Sequence, residues 1–189
     1  MSDTANHGKT FCSVMSSRTT TILVGVWAAA ILVALLIANS NQMQDFDPDA
    51  SLAQAASQQN FDSAFTGMLQ EAGVSNGSIV HFSADSNCFC NDLSKGHQYD
   101  ITQSLADKGY AFNTLSLSEH PAIGKLISHF PALAVIDNNG NLRYVGPYAT
   151  GFGCFTGNDL VDDIARIATT EQYFGATVNT EARGCFCNV

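Results

Sequence analysis

The chain has 189 residues, of which 46% are apolar and only 13% charged, about half the usual charged share. Lys and Arg number 8 against 17 Asp and Glu, for a net charge of −9, with no basic cluster anywhere. That balance speaks against a nucleic-acid partner and an anionic-lipid surface, and the length excludes a multidomain enzyme.

Part of the imbalance comes from Thr21–Ala38, an uncharged apolar run that reaches ~27 Å as a helix, roughly one hydrocarbon core. Residues 1–20 carry Lys9 and Arg18 against Asp3, whereas Asp45, Asp47 and Asp49 follow the run before any basic residue. The positive-inside rule therefore predicts a cytoplasmic N-terminus (1–20), a single-pass anchor (21–38) in the inner (plasma) membrane, and a periplasmic or extracytoplasmic remainder. Ala38-Asn39-Ser40 resembles a small-residue cleavage site, so a cleaved signal is the alternative, but the run exceeds the usual signal core.

Residues 39–59 are mostly Asn, Gln, Ser, Ala and Asp, which predicts a polar spacer. A domain is expected over 60–168. Asn60 can cap a helix with apolar positions at Phe61, Phe65, Met68 and Leu69 and a stop at Gly73. Ser78–Ala84 reads as a buried strand. Asp100–Lys108 reads as a helix, Tyr110–Leu117 as a strand, and Pro121–Ser128 as a short helix behind Ser118. A strand over Ala132–Asp137, the turn signal Asn138-Asn139-Gly140 and a returning strand over Asn141–Val145 follow. An amphipathic helix over Asp159–Ala168 closes the domain, leaving 169–189 as a cysteine-containing tail. The order gives an α/β fold with a mixed sheet.

Of six cysteines, Cys12 precedes the apolar run and five follow it: Cys88, Cys90, Cys154, Cys185 and Cys187. Disulfides persist outside the cytoplasm, yet five is odd. Cys88-Phe89-Cys90-Asn91 recurs as Cys185-Phe186-Cys187-Asn188. Two C-x-C pairs, each able to close on itself, suggest reactive or ligating sulfur more than structural staples. Two chemistries stay open. One is thiol–disulfide exchange, including a relay between the two pairs if the tail reaches back. The other is ligation of copper or zinc by Cys88, Cys90, Cys154, Cys185 and Cys187, as a binding or delivery module. His97, His120 and His129 suit caps and surfaces, and Asp162-Asp163 a solvated helix face.

The strand Ile79-Val80-His81-Phe82-Ser83-Ala84-Asp85 with Cys88 and Cys90 behind it, together with Phe130-Pro131-Ala132-Leu133-Ala134-Val135-Ile136-Asp137 and Val145-Gly146, resembles the thioredoxin-like superfamily over about 60–168. The chain looks like a membrane-anchored envelope member with C-x-C in place of C-x-x-C. The resemblance implies a mixed sheet flanked by helices and a cis-proline at Pro131 facing the cysteines. It further implies Gly146 near the substrate groove and His81 where the family keeps a buried proton-moving acid, while a satisfied, half-buried strand histidine is the other reading of His81. Catalytic residues would be Cys88, which attacks a substrate disulfide, Cys90, which resolves the mixed disulfide, Pro131 and His81. Partners would be protein thiols and disulfides, with a possible membrane redox partner and no cofactor. Asn87 occupies the family's first-cysteine position, which leaves a redox-inactive interaction domain as a further reading. A reporter fused after Val189 is expected to be active only outside the cytoplasm, with the first 38 residues retained; a mature N-terminus at Asn41 would remove the anchor.

Overall fold

A computed structural model describes residues 17–40, 43–84, 88–151 and 158–189. The chain divides into two units, Met1–Asn41 and Gln42–Val189. In the first, Ser17–Ser40 forms helix α1. Its Arg18–Ile37 stretch, with no part buried, is long and apolar enough to cross a membrane. Ile22, Trp27 and Leu36 are among the exposed side chains, so the helix has no polar face to offer water.

The second unit begins with β1 (Gln44–Asp45), α2 (Ser51–Ala56), α3 (Phe61–Glu71) and β2 (Ser78–Ser83). It continues with α4 (Phe89–Leu93), α5 (Lys95–Ala106), β3 (Ala111–Ser116), α6 (Pro121–Gly124), β4 (His129–Phe130), β5 (Ala132–Ile136) and β6 (Leu142–Gly146). Helix α7 (Val161–Thr169) and the short strands β7 (Thr177–Val178), β8 (Arg183–Gly184) and β9 (Cys187–Asn188) complete it.

The main sheet has the order β3-β2-β5-β6-β7. Strand β2 pairs parallel to β3 and antiparallel to β5, β5 antiparallel to β6, and β6 parallel to β7, so the sheet is mixed. Central strands β2, β5 and β6 are buried along almost their whole length because helices cover both faces, His81 and Arg143 included. Period-two alternation sorts their side chains: Val80, Phe82, Ala134 and Ile136 pack with Phe61, Phe65 and Leu69 of α3 and Ile123 of α6. Ile79, Leu133 and Val135 pack with Ile101 and Leu105 of α5 and Val161 and Ile164 of α7.

Local chemistry sets the ends of these elements. Helix α3 stops where Gly73 turns left-handed (φ 88°), and Val74 N–H then bonds Leu69 C=O at 3.0 Å while Gly73 N–H bonds Gln70 C=O at 2.9 Å. Between β5 and β6 the Asp137 carboxylate accepts the backbone N–H groups of Asn139 and Asn141, each at 2.9 Å, with Gly140 at φ 86°. The helix expected over Asp100–Lys108 begins earlier, at Lys95, with α4 leading into it. The segment 89–99 includes Gly96 and lacks a strong apolar period, and buried His97 and Ser94 hold it in place. Helix α6 is shorter than expected, and His120 rather than Ser118 precedes it as the cap residue.

Two expected boundaries are corrected. The spacer 39–59 is in part domain: Phe46 and Leu52 are 2% and 0% exposed within the core of the second unit. The Asp47 carboxylate accepts the N–H groups of Leu52 and Ala53 at 3.2 and 2.8 Å, satisfying the start of α2. Two isolated apolar residues in a polar stretch give no period, so burial there is invisible to pattern reading. The tail 169–189 is also built into the domain: β7 extends the sheet, β8 pairs with β1, and β9 pairs with β4. Leu52→Ala is expected to lower stability by about 2–5 kcal/mol in denaturant unfolding, as a core truncation does; a spacer residue would change it by about 0.5 kcal/mol or less.

Candidate functional site

Strand β2 runs out at Ser83, and Cys88 stands immediately before α4, its carbonyl accepting the N–H groups of Asn91 and Asp92 at 3.1 and 3.4 Å. Phe89 points outward while Cys88 is 7% exposed and Cys90 is half-buried. The other C-x-C arrives from the far end of the chain. Cys88 is bonded to Cys187 and Cys90 to Cys185, with Cα–Cα distances of 6.3 and 5.4 Å. The motifs therefore cross antiparallel and close on one another. Neither C-x-C is bonded within itself, contrary to the expectation of self-closing pairs: one intervening residue leaves little freedom for a bond, whereas the docked tail presents its sulfurs at ordinary disulfide reach, about 4.4–6.8 Å between Cα atoms. Cys12 and Cys154 lie outside the described residues.

The tail is placed by backbone pairing as well as by sulfur. Phe130 of β4 faces Cys187, and His129 faces Asn188. The Phe130-Pro131 bond is cis, the isomer the resemblance implies. Pro131 is thus one residue from the strand pair that contains Cys187, and through Cys187 it is brought to Cys88. Gly146 lies across the β5–β6 pair from Leu133. On the other flank Gln44 and Asp45 pair with Gly184 and Arg183, and Gly151 N–H bonds Arg183 C=O while Cys185 N–H bonds Gly151 C=O at 3.1 Å. Phe186, the residue between the tail cysteines, is 5% exposed and packs on Phe46 with ring centroids 5.3 Å apart.

The sulfurs of Cys88, Cys90 and Cys187 lie within 4.8 Å of one another, a cluster of metal-ligand type among the described residues. As disulfides they are not thiolates, and thiolate is the form that both attacks disulfides and binds metal.

His81, 3% exposed on β2, joins the site through its hydrogen bonds. Its Nδ1 is 3.1 Å from the Tyr148 hydroxyl, and its Nε2 is 3.1 Å from Asn91 Oδ1, the residue after Cys90. Burial pushes the Tyr148 hydroxyl far above its usual range, so it remains protonated and donates to Nδ1. Nε2–H then donates to Asn91, and Gln98 Nε2 donates to Ser94 Oγ at 2.8 Å. Burial lowers the His81 pKa to about 4 against the raising effect of the Asn91 bond. Of the two sequence readings of His81, the proton mover and the satisfied strand histidine, the partners at both nitrogens fit the second.

The other polar candidates take structural places. His97 is buried with Nδ1 3.4 Å from an Asp159 carboxylate oxygen, His120 precedes α6, and Asp163 pairs with Arg166 on an exposed face. Pattern reading missed Asn91, Gln98 and Tyr148, and also Phe46 and Phe186. The repeat Cys-Phe-Cys-Asn was the one signal that contained two of them, Asn91 and Phe186.

A model of a domain of unknown function, DUF6436, matches residues 54–189. The chain belongs to that family. The DUF6436 span takes in both C-x-C motifs, the main sheet and the tail strands. No curated protein and no solved structure matches the chain.

The neutral His81 makes stability depend on pH. The unfolded chain takes up this proton near pH 6.5 and the folded domain near 4, so the unfolded state binds more protons between those values. Stability is full above pH 6.5 and falls as pH drops toward 4, by about 3 kcal/mol for this group. Unfolding titrations at pH 7 and 4.5 are expected to show this loss in the wild type and a smaller one in His81→Gln. A residual slope is expected from His129, whose pKa is also lowered, by burial above all.

Proposed function

We propose that this protein is a membrane-anchored, extracytoplasmic thiol–disulfide oxidoreductase with a thioredoxin-like domain whose reactive sulfurs rest as a double disulfide. The observation that carries the reading is the approach of Cys88, Cys90 and Cys187 to within 4.8 Å, which sets a thiolate at any one of them beside a bond it can attack. The order β3-β2-β5-β6, the helices on both faces, Cys88 just before α4 with Cys90 in its first turn, and Pro131 before β5 all support the thioredoxin-like reading. The apolar helix Arg18–Ile37 supports the anchor.

In the reduced protein, Cys88 thiolate attacks a substrate disulfide, forming a mixed disulfide and expelling one substrate thiolate. A second protein thiolate then attacks Cys88 Sγ, expels the other substrate thiolate and leaves a protein disulfide. Two electrons pass to the substrate, whose thiolates take up protons from water. Cys187, the partner bonded to Cys88, is the resolving residue best placed for this second step, and Cys90 is the alternative that the sequence suggested. Run backwards, the same steps pass electrons from a substrate dithiol to the resting disulfides. Phe130, paired with Cys187, lines the edge along which a substrate strand would lie.

Cys88→Ser is expected to abolish exchange with a model disulfide substrate. The double variant Cys90→Ser/Cys187→Ser, which lacks both resolving thiols, is expected to accumulate mixed disulfides through Cys88, detectable by non-reducing electrophoresis and mass spectrometry. Exchange by Cys88→Ser at the wild-type rate would remove the proposed mechanism and favour a redox-inactive interaction domain.

A further inference from the structure

The two C-x-C segments are held against each other by more than sulfur. Cys88 is fixed by the start of α4, where its carbonyl takes two helix N–H groups. The tail is fixed on one flank by the β1–β8 pair, the Phe46 N–H to Ala182 C=O bond at 2.9 Å and the bonds to Gly151, and on the other by the β4–β9 pair and Val189 N–H to Ser128 C=O at 3.0 Å. Phe186 is buried between them. These contacts are made by backbone and ring atoms and not by the S–S bonds, so they are available to hold the tail when the bonds are reduced.

We propose that, once both disulfides are reduced, the Sγ atoms of Cys88, Cys90, Cys185 and Cys187 form a four-thiolate site for Zn²⁺. A tetrahedral Zn–S₄ site has bonds of about 2.3 Å, hence sulfurs about 3.8 Å apart. Three of the four already lie within 4.8 Å of one another, and the fourth, Cys185, is bonded to Cys90 in the oxidised form. Once the S–S bonds are broken, side-chain rotation separates sulfurs whose Cα atoms are 6.3 and 5.4 Å apart. The crossing motifs supply two donors from each strand. Four thiolates, two from each motif, suit a d¹⁰ borderline cation with no geometric preference of its own better than an ion that favours two or three ligands.

The chemistry balances with a dithiol or phosphine reductant. Each disulfide takes up two electrons and two protons to give two thiols, and Zn²⁺ then displaces the thiol protons as it binds. A disulfide oxidant accepts the electrons back, restores the Cys88–Cys187 and Cys90–Cys185 bonds and releases the ion. The site is thus open to zinc only in the reduced state, which extends the proposed exchange chemistry without requiring it.

The test uses the full chain in detergent, with Cys12→Ser and Cys154→Ser to remove the remaining thiols. After anaerobic reduction with a phosphine and removal of excess reagent, Zn²⁺ uptake is measured against a chromophoric chelator, and Co²⁺ serves as a spectroscopic substitute. One Zn²⁺ per chain is expected in the reduced protein and none in the oxidised, together with the intense visible absorption of tetrahedral cobalt–thiolate. Addition of a disulfide oxidant should expel the ion. Cys88→Ser and Cys185→Ser are each expected to weaken binding about 100-fold or more, since each removes a ligand. Each keeps one disulfide when oxidised, so its folding is checked in that state. Reduced protein that exchanges disulfides but takes up no Zn²⁺ overturns the site and leaves the proposed function standing. Zinc uptake without exchange leaves the site standing and removes the oxidoreductase reading. Uptake that survives in Cys88→Ser, or that appears only when Cys154 is restored, overturns the ligand set.

Discussion

The antiparallel crossing of the two C-x-C segments is the constraint on which the site depends. Cysteines 99 and 95 residues apart in sequence are joined in pairs, which requires the end of the chain to return across the start of α4 at fixed register. Register comes from backbone pairing on both flanks, and depth comes from Phe186 against Phe46. The segment before the domain and the segment after it therefore fold as one device. Phe46, close behind the apolar helix in sequence, packs on the residue that separates the tail cysteines.

That device sits on a sheet whose two faces do different work. The face covered by α3 and α6 includes Cys88, Phe46 and Phe186 in its apolar cluster, so the sulfur site is an edge of the core rather than an appendage. The opposite face, under α5 and α7, contains Tyr148, whose hydroxyl reaches His81 on β2. From there the chain of hydrogen bonds passes to Asn91, in the turn of helix that Cys90 belongs to. Burial of the imidazole holds it neutral, which favours a fixed donor–acceptor link over a titrating one near neutral pH.

The edge formed by His129 and Phe130 is occupied by the chain's own residues Cys187 and Asn188. A partner strand approaching Pro131 would meet this intramolecular strand first. Cys187 is both strand partner of Phe130 and disulfide partner of Cys88, so the proposed exchange at Cys88 would be coupled to occupation of the β4 edge.

The sequence by itself determined the apolar helix, the α/β order, the buried strands and the turn at Asn138-Asn139-Gly140, because each is written in local period or turn chemistry. It also marked Cys88, Cys90, Cys185 and Cys187 as a set, through the repeated Cys-Phe-Cys-Asn. Only the tertiary structure decided which sulfur bonds which, that Phe46 and Leu52 belong to the core, and that the tail supplies three strands. Those outcomes depend on contacts between residues far apart in the chain, between single apolar side chains and two-residue strands too short to leave a periodic trace. The neutral state of His81 has the same origin: burial and the reach of Tyr148 and Asn91 are properties of the packed domain, which no spacing along β2 encodes.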